Sequence, residues 1–110
     1  MRTDAELAAE DDARERAALV ASFQTCRIDG WTVPATLRDG LVRYVVDRVA
    51  TGGFLRAVLE NDLSGALARL DRGVPIEDLR AITGWIYNEA PSPCWGSPAK
   101  VAAWLAGTEA

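Results

Sequence analysis

Helix punctuation constrains this chain more than any other feature. Start and stop signals recur along its length, and between them apolar residues return at threes and fours and never alternate. Leu37, Leu41, Tyr44, Val45 and Val49 fall at i, i+4, i+7, i+8 and i+12, one continuous stripe. Pro34 suits the first turn of that helix, and Gly52-Gly53 suits its end, because glycine takes the left-handed cap conformation without strain. The stretch Thr51 to Leu63 (TGGFLRAVLENDL) reads as a short helix on Phe54, Leu55, Val58 and Leu59, a break at Asn61-Asp62, and a new helix capped by Asp62. Leu63, Ala66, Leu67 and Leu70 carry that helix and Gly73 stops it. Such a corner is equally a ligand wall or a bare helix corner.

The remaining punctuation extends the pattern. Thr3 with Glu6 forms a capping box that starts a first helix near Asp4. Glu10–Arg14 and Asp12–Arg16 are acid-before-base pairs along it, and Leu19, Val20 and Phe23 are its anchoring residues. Asp29-Gly30 is a turn. Pro75 opens a helix with Glu77 and Asp78 in its first turn and Ile76, Leu79, Ile82, Thr83, Ile86 and Tyr87 on one stripe. Trp85 lies off that stripe, which means a second packing surface, a subunit contact or a stacking platform. Ala90-Pro91-Ser92-Pro93 cannot continue a helix, and Cys94-Trp95-Gly96 is a tight loop. Ser97-Pro98 is an N-cap with a first-turn proline for a last helix that Gly107 stops. The expected fold is all-α: one small domain of about six helices, several short, with residues 1–30 as an acidic helical extension and 31–107 as the core.

Charge narrows the function. Residues 1–15 hold six acids and two arginines, the whole net charge of −4, and the rest of the 110-residue chain is balanced. A body without basic excess does not suit duplex nucleic acid, although a small anion needs only a local set of donors. No run of apolar residues approaches a membrane span, and the polar, acidic start does not read as a signal peptide, so a cytoplasmic location is expected. Cys26 and Cys94 are expected as reduced thiols. The absence of histidine removes the commonest acid–base catalyst and metal ligand. No phosphate loop or dinucleotide fingerprint appears. The expectation is therefore a non-enzyme with no metal and no cofactor.

Three segments together carry a resemblance: VPATLRDGLVRYV (33–45), TGGFLRAVLENDLSGALARLD (51–71) and WIYNEAPSPCWGSPAKVAAWL (85–105). They resemble small helical proteins of tailed bacteriophages, similar to the phage sponges that bind the cyclic nucleotide signals of the CBASS and Thoeris anti-phage defences. The resemblance spans roughly residues 31–106 and leaves residues 1–30 outside it. It implies a protein that sequesters a cyclic dinucleotide, or a cyclic ADP-ribose isomer, without cleaving it. It also implies a symmetric homo-oligomer, a dimer or tetramer, in the cytoplasm of the infected host. Such a ligand needs stacking surfaces, for which Tyr44, Trp85, Tyr87 and Trp95 are the candidates. Asn61 and Asn88 are the amides for base edges. Arg43 and Arg56 offer guanidinium forks, and the helix starts near Gly53 and Ser97 offer free N–H groups. Each has a structural counterpart: Arg43 in an Asp39–Arg43–Asp47 ladder, Arg56 paired with Glu60, Asn61 as a helix end, Tyr44 on an apolar stripe. Trp104 is assigned to the core. The rival functions are a helical protein–protein interaction module, such as an inhibitor of a host protein, and an assembly protein without a ligand.

Overall fold

The computed structural model describes residues 1–70 and 75–108. Among these, regular structure consists of α1 (Asp4–Thr25), α2 (Ala35–Asp47), α3 (Gly53–Leu59), α4 (Leu63–Ala68), α5 (Ile76–Glu89), a 3₁₀ turn at Ser92–Cys94, and α6 (Pro98–Ala106). The only extended pairing among the described residues is an isolated bridge between Ile28 and Trp31. The fold is all-α, and no helix among the described residues is long and apolar enough to cross a membrane.

Most boundaries follow local chemistry. Thr3 accepts a hydrogen bond from the Glu6 N–H at 3.2 Å and starts α1. Asp62 accepts from the Gly65 N–H at 2.9 Å and starts α4, and Ser97 accepts from the Lys100 N–H at 3.1 Å and starts α6. Gly107 ends α6 at φ 72, where a side chain would be strained. Gly73, expected to stop α4, lies outside the described residues, and the helix already ends at Ala68 with Arg69 as its C-cap.

α2 ends differently from the sequence expectation. Its cap is Arg48, left-handed at φ 57, and not the Gly52-Gly53 pair. A tertiary contact holds this unfavourable conformation: the Arg48 guanidinium lies 3.8 Å from the Trp104 ring centre and donates to the Trp104 carbonyl at 2.8 Å. Val49, the last residue of the expected stripe, therefore falls beyond the helix and is exposed. Pro34 sits one position earlier than expected, as the N-cap of α2.

The core is one cluster that draws on every element but α4. It includes Phe23 of α1, Leu41, Tyr44 and Val45 of α2, Leu59 of α3, Ile82 and Trp85 of α5, and Val101 and Trp104 of α6. α1 joins it only through its last turns. Leu19, Ser22 and Phe23 are buried, whereas Val20, expected as an anchor, points outward and is 53% exposed. Arg16 pairs with Asp47 of α2 at 2.6 Å instead of with Asp12, tying α1 to α2. The core thus claims residues from Leu19 onward, inside the stretch 1–30 expected as the extension because the resemblance leaves it out. The N-terminal turns of α1 project from it, and the molecule measures 52 × 30 × 19 Å.

Deleting residues 1–15 should leave the fold intact, because nothing before Leu19 is buried. The expected outcome is a melting temperature within a few degrees of the parent's, since surface helix turns without core contacts contribute little. A truncated chain that failed to fold would extend the core into the arm.

Candidate functional site

A groove forms where the α3–α4 corner faces α5. Asn61 closes α3 in the left-handed conformation, φ 62, which asparagine tolerates better than most residues. Asp62 then turns the chain into α4. Val58, Asn61, Asp62, Leu63 and Ala66 form one wall, and Leu79, Arg80 and Thr83 of α5 form the other. The groove has a volume of about 390 Å³. Its floor is apolar, and its rim carries an amide, a carboxylate, a guanidinium and a hydroxyl. This is the usual make-up of a small-molecule site: apolar lining with a few polar groups that fix orientation.

An aromatic pair extends the same face. Tyr87 lies one helical turn beyond Thr83 on α5 and is 73% exposed. Its ring meets the edge of Trp95, with centres 6.0 Å apart and planes at 62°. The Trp95 loop is held against the end of α3 by the Gly96 N–H, which donates to the Leu59 carbonyl at 2.7 Å. Trp95 is half-buried against the core, and its buried Nε1 has no hydrogen-bond partner among the described residues. Asn61, Tyr87 and Trp95 thus come to one side of the molecule.

The other candidates go elsewhere. Tyr44 and Trp85 are core residues, 1% and 0% exposed, so neither is a stacking platform in this fold. The Tyr44 hydroxyl donates to the Cys94 carbonyl at 2.6 Å, and its burial pushes its pKa well up. Trp85 stacks on Phe23 at 4.7 Å and donates from Nε1 to the Ser22 hydroxyl at 2.7 Å. Of its three possible roles, Trp85 takes the second packing surface, against α1. That choice rotates α5: Ala81, Ile82, Trp85 and Ile86 turn inward, and Thr83 and Tyr87, expected on the buried stripe, turn outward. Trp104 is in the core as expected, donating from Nε1 to the Tyr44 carbonyl at 3.0 Å.

Arg43 pairs with Asp39 at 3.4 Å and Arg56 with Glu60 at 3.0 Å, both in exposed i,i+4 bridges. Gly53 opens a seven-residue helix beneath the Arg69 side chain, which leaves little open space above it. The Asn88 amide donates to the Gly84 carbonyl at 2.7 Å, and Ser97 caps α6. Of the sequence candidates Asn61 lines the groove; Arg43, Tyr44, Gly53, Arg56, Trp85, Tyr87, Asn88, Trp95 and Ser97 do not. Arg80 and Thr83 do, and sequence reasoning passed over both as site residues. Their only local signal is the i,i+4 register of Leu79, Thr83 and Tyr87, which by itself also describes a buried face.

The described residues contain no group of three or more histidine, cysteine or carboxylate side chains that could hold a metal. Cys94 is fully buried, and burial pushes its thiol up to about 12. Folding therefore keeps this proton on. The associated stability is complete below the ordinary thiol value of 9.0 and falls as pH rises from there toward about 12. In the native protein at pH 8, Cys94 should resist alkylation by iodoacetamide, and half-buried Cys26 should react first; mass spectrometry of the labelled peptides reads the order.

No family model matches the chain, and no curated protein or solved structure does either.

Proposed function

We propose that this chain is a phage immune-evasion protein that binds a cyclic nucleotide defence signal and sequesters it without cleaving it. The observation that carries the reading is the groove with its aromatic extension. An apolar floor, the Asn61 amide, the Arg80 guanidinium and the Tyr87–Trp95 pair lie on one face. These groups match base stacking, base-edge hydrogen bonding and phosphate neutralisation. The three segments resembling phage sponges supply the ligand class. A volume of about 390 Å³ is near the lower end of ligand pockets. It is the scale of one nucleotide, so a cyclic dinucleotide is shared by two copies across a two-fold axis. The chain acts as a homo-oligomer in the cytoplasm of the infected host.

A thermal-shift panel of cyclic di- and trinucleotides and cyclic ADP-ribose isomers tests the reading. A ligand at a hundred times its dissociation constant adds about 2.7 kcal/mol, several degrees for a domain of this size. Light scattering should give a dimer or larger at micromolar concentration. A folded parent that binds no member of the panel would overturn the reading. The interaction-module reading would then lead, supported by Leu63 on the groove rim, 66% exposed, and by Leu67 and Ile76, also exposed.

The aromatic pair gives a sharper expectation. Tyr87→Ala should weaken ligand affinity about five- to hundred-fold, the cost of a lost stacking contact, with no change in melting temperature because the ring is mostly in solvent. Trp95→Ala should weaken affinity similarly and also lower the melting temperature, because that side chain is partly buried and packs against the core. Calorimetric dissociation constants and ligand-free melts separate the two effects.

A further inference from the structure

Arg80 stands between two destinations. It lines the groove, and its Nη1 lies 2.8 Å from the Asp29 carboxylate. Asp29 belongs to the turn after α1, where it is left-handed at φ 50 and is followed by Gly30 at φ 84. The Ile28–Trp31 bridge closes this turn, and the turn is seated on α5 beside Arg80. A Cβ on Gly84 would lie only 2.5 Å from Ile28 Cδ1, so this glycine is what admits the turn. Asp29 is thus delivered to Arg80 by packing, not by chance of a long side chain. The pair is solvent-accessible on both sides, 58% and 72%, the kind of ion pair that another anion displaces readily. On the opposite wall, the Asp62 carboxylate leaves the groove with one positive and one negative group, an arrangement that suits a ligand with a single charge.

We propose that Arg80 is the anion-holding residue of the groove, that Asp29 is its displaceable counter-ion, and that the group it takes is a singly charged phosphodiester. This rests on the sequestration reading above for the rest of the ligand. A phosphodiester presents two oxygens to a guanidinium fork and no second charge to Asp62, whereas a terminal phosphate near neutral pH presents nearly two charges.

Two probes test it. In the first arm, dimethyl phosphate is titrated into the parent, Asp29→Asn and Arg80→Gln, and the arginine Nε–H resonances are followed by NMR. Asparagine accepts the left-handed turn conformation as well as aspartate does, so Asp29→Asn removes the counter-ion and keeps the turn. The resonance absent from Arg80→Gln should shift on titration in the parent, and at several-fold lower probe concentration in Asp29→Asn. In the second arm, 3′,3′-cyclic di-AMP and 3′,3′-cyclic GMP-AMP are titrated by calorimetry. Arg80→Gln should weaken binding about ten- to hundred-fold, as for loss of a charge-assisted bidentate contact, and Asp29→Asn should strengthen it a few-fold. An Arg80 resonance that ignores dimethyl phosphate in both parent and Asp29→Asn overturns the anion site. So does a cyclic dinucleotide that binds Arg80→Gln as tightly as the parent, and that result leaves the sequestration reading standing. A dimethyl phosphate shift at Arg80 with no cyclic dinucleotide binding supports the anion site and removes the cyclic dinucleotide as its ligand, while the signal panel above decides the sequestration reading.

Discussion

Trp85→Ala is expected to lower the unfolding free energy by about 4 kcal/mol, because Trp85 is the largest fully buried side chain among the described residues. The indole is fully buried, stacked on Phe23, and donates to Ser22, whose own hydroxyl donates to the Leu19 carbonyl at 2.5 Å. Removing it empties the seam between α1 and α5 and takes one of two hydrogen bonds from Ser22, the one buried polar residue among those described. A domain of this size has only about 5–15 kcal/mol to lose, so the urea midpoint should fall by about 2 M or the chain should fail to fold. Trp85→Phe keeps most of the ring and loses the Ser22 bond, and should fall between. A Trp85→Ala protein with the parent's midpoint would mean that α1 is not held by this seam. If Trp85→Phe folds but loses ligand affinity far beyond its change in stability, the indole belongs to the binding face after all.

Arg48→Ala should cost about 2–3 kcal/mol. The change removes a charge-assisted bond to the Trp104 carbonyl and the contact with the Trp104 ring, and it leaves an alanine in the left-handed region. Arg48→Gly loses the same contacts but relieves the backbone, so it should be about 1 kcal/mol more stable than Arg48→Ala. Arg48→Lys keeps a charge but not the planar fork, and should lie between Gly and the parent. Denaturant melts of the three variants give the order. If glycine were no better than alanine, the positive φ would carry no cost. If all three matched the parent, Trp104 would hold α6 without Arg48.

The same residues show what was legible. Caps at Asp62 and Ser97 depend on a side chain and a backbone N–H three residues on, and the stop at Gly107 on a backbone without a side chain, so the sequence states them directly. The end of α2 does not, because Arg48 is paid for its strain by a ring 56 positions away. Val20 and Phe23 look alike as apolar anchors, and only the position of Trp85 decides which of them faces inward. Trp85 likewise sets the rotation of α5, which moved Thr83 and Tyr87 from the expected core to the surface. For the groove, Asn61 was readable as a helix end beside a possible ligand wall. Arg80 was not, because its place depends on a turn brought over from the end of α1 by the bare backbone at Gly84.

The placement of α6 bears on how the chain is made. The indole of Trp104 donates to the Tyr44 carbonyl, and Val101 is 1% exposed in the same cluster. Tyr44 in turn reaches Cys94. A nascent chain that stops before residue 101 has synthesised Tyr44 and Cys94 but lacks Val101 and Trp104, which complete the cluster they belong to. Domains of many proteins fold as units while synthesis continues. Here the unit is complete only once α6 has been synthesised. The core can close only after α6 has cleared the ribosome, and until then the surface around Tyr44 is open to chaperones or to another nascent copy.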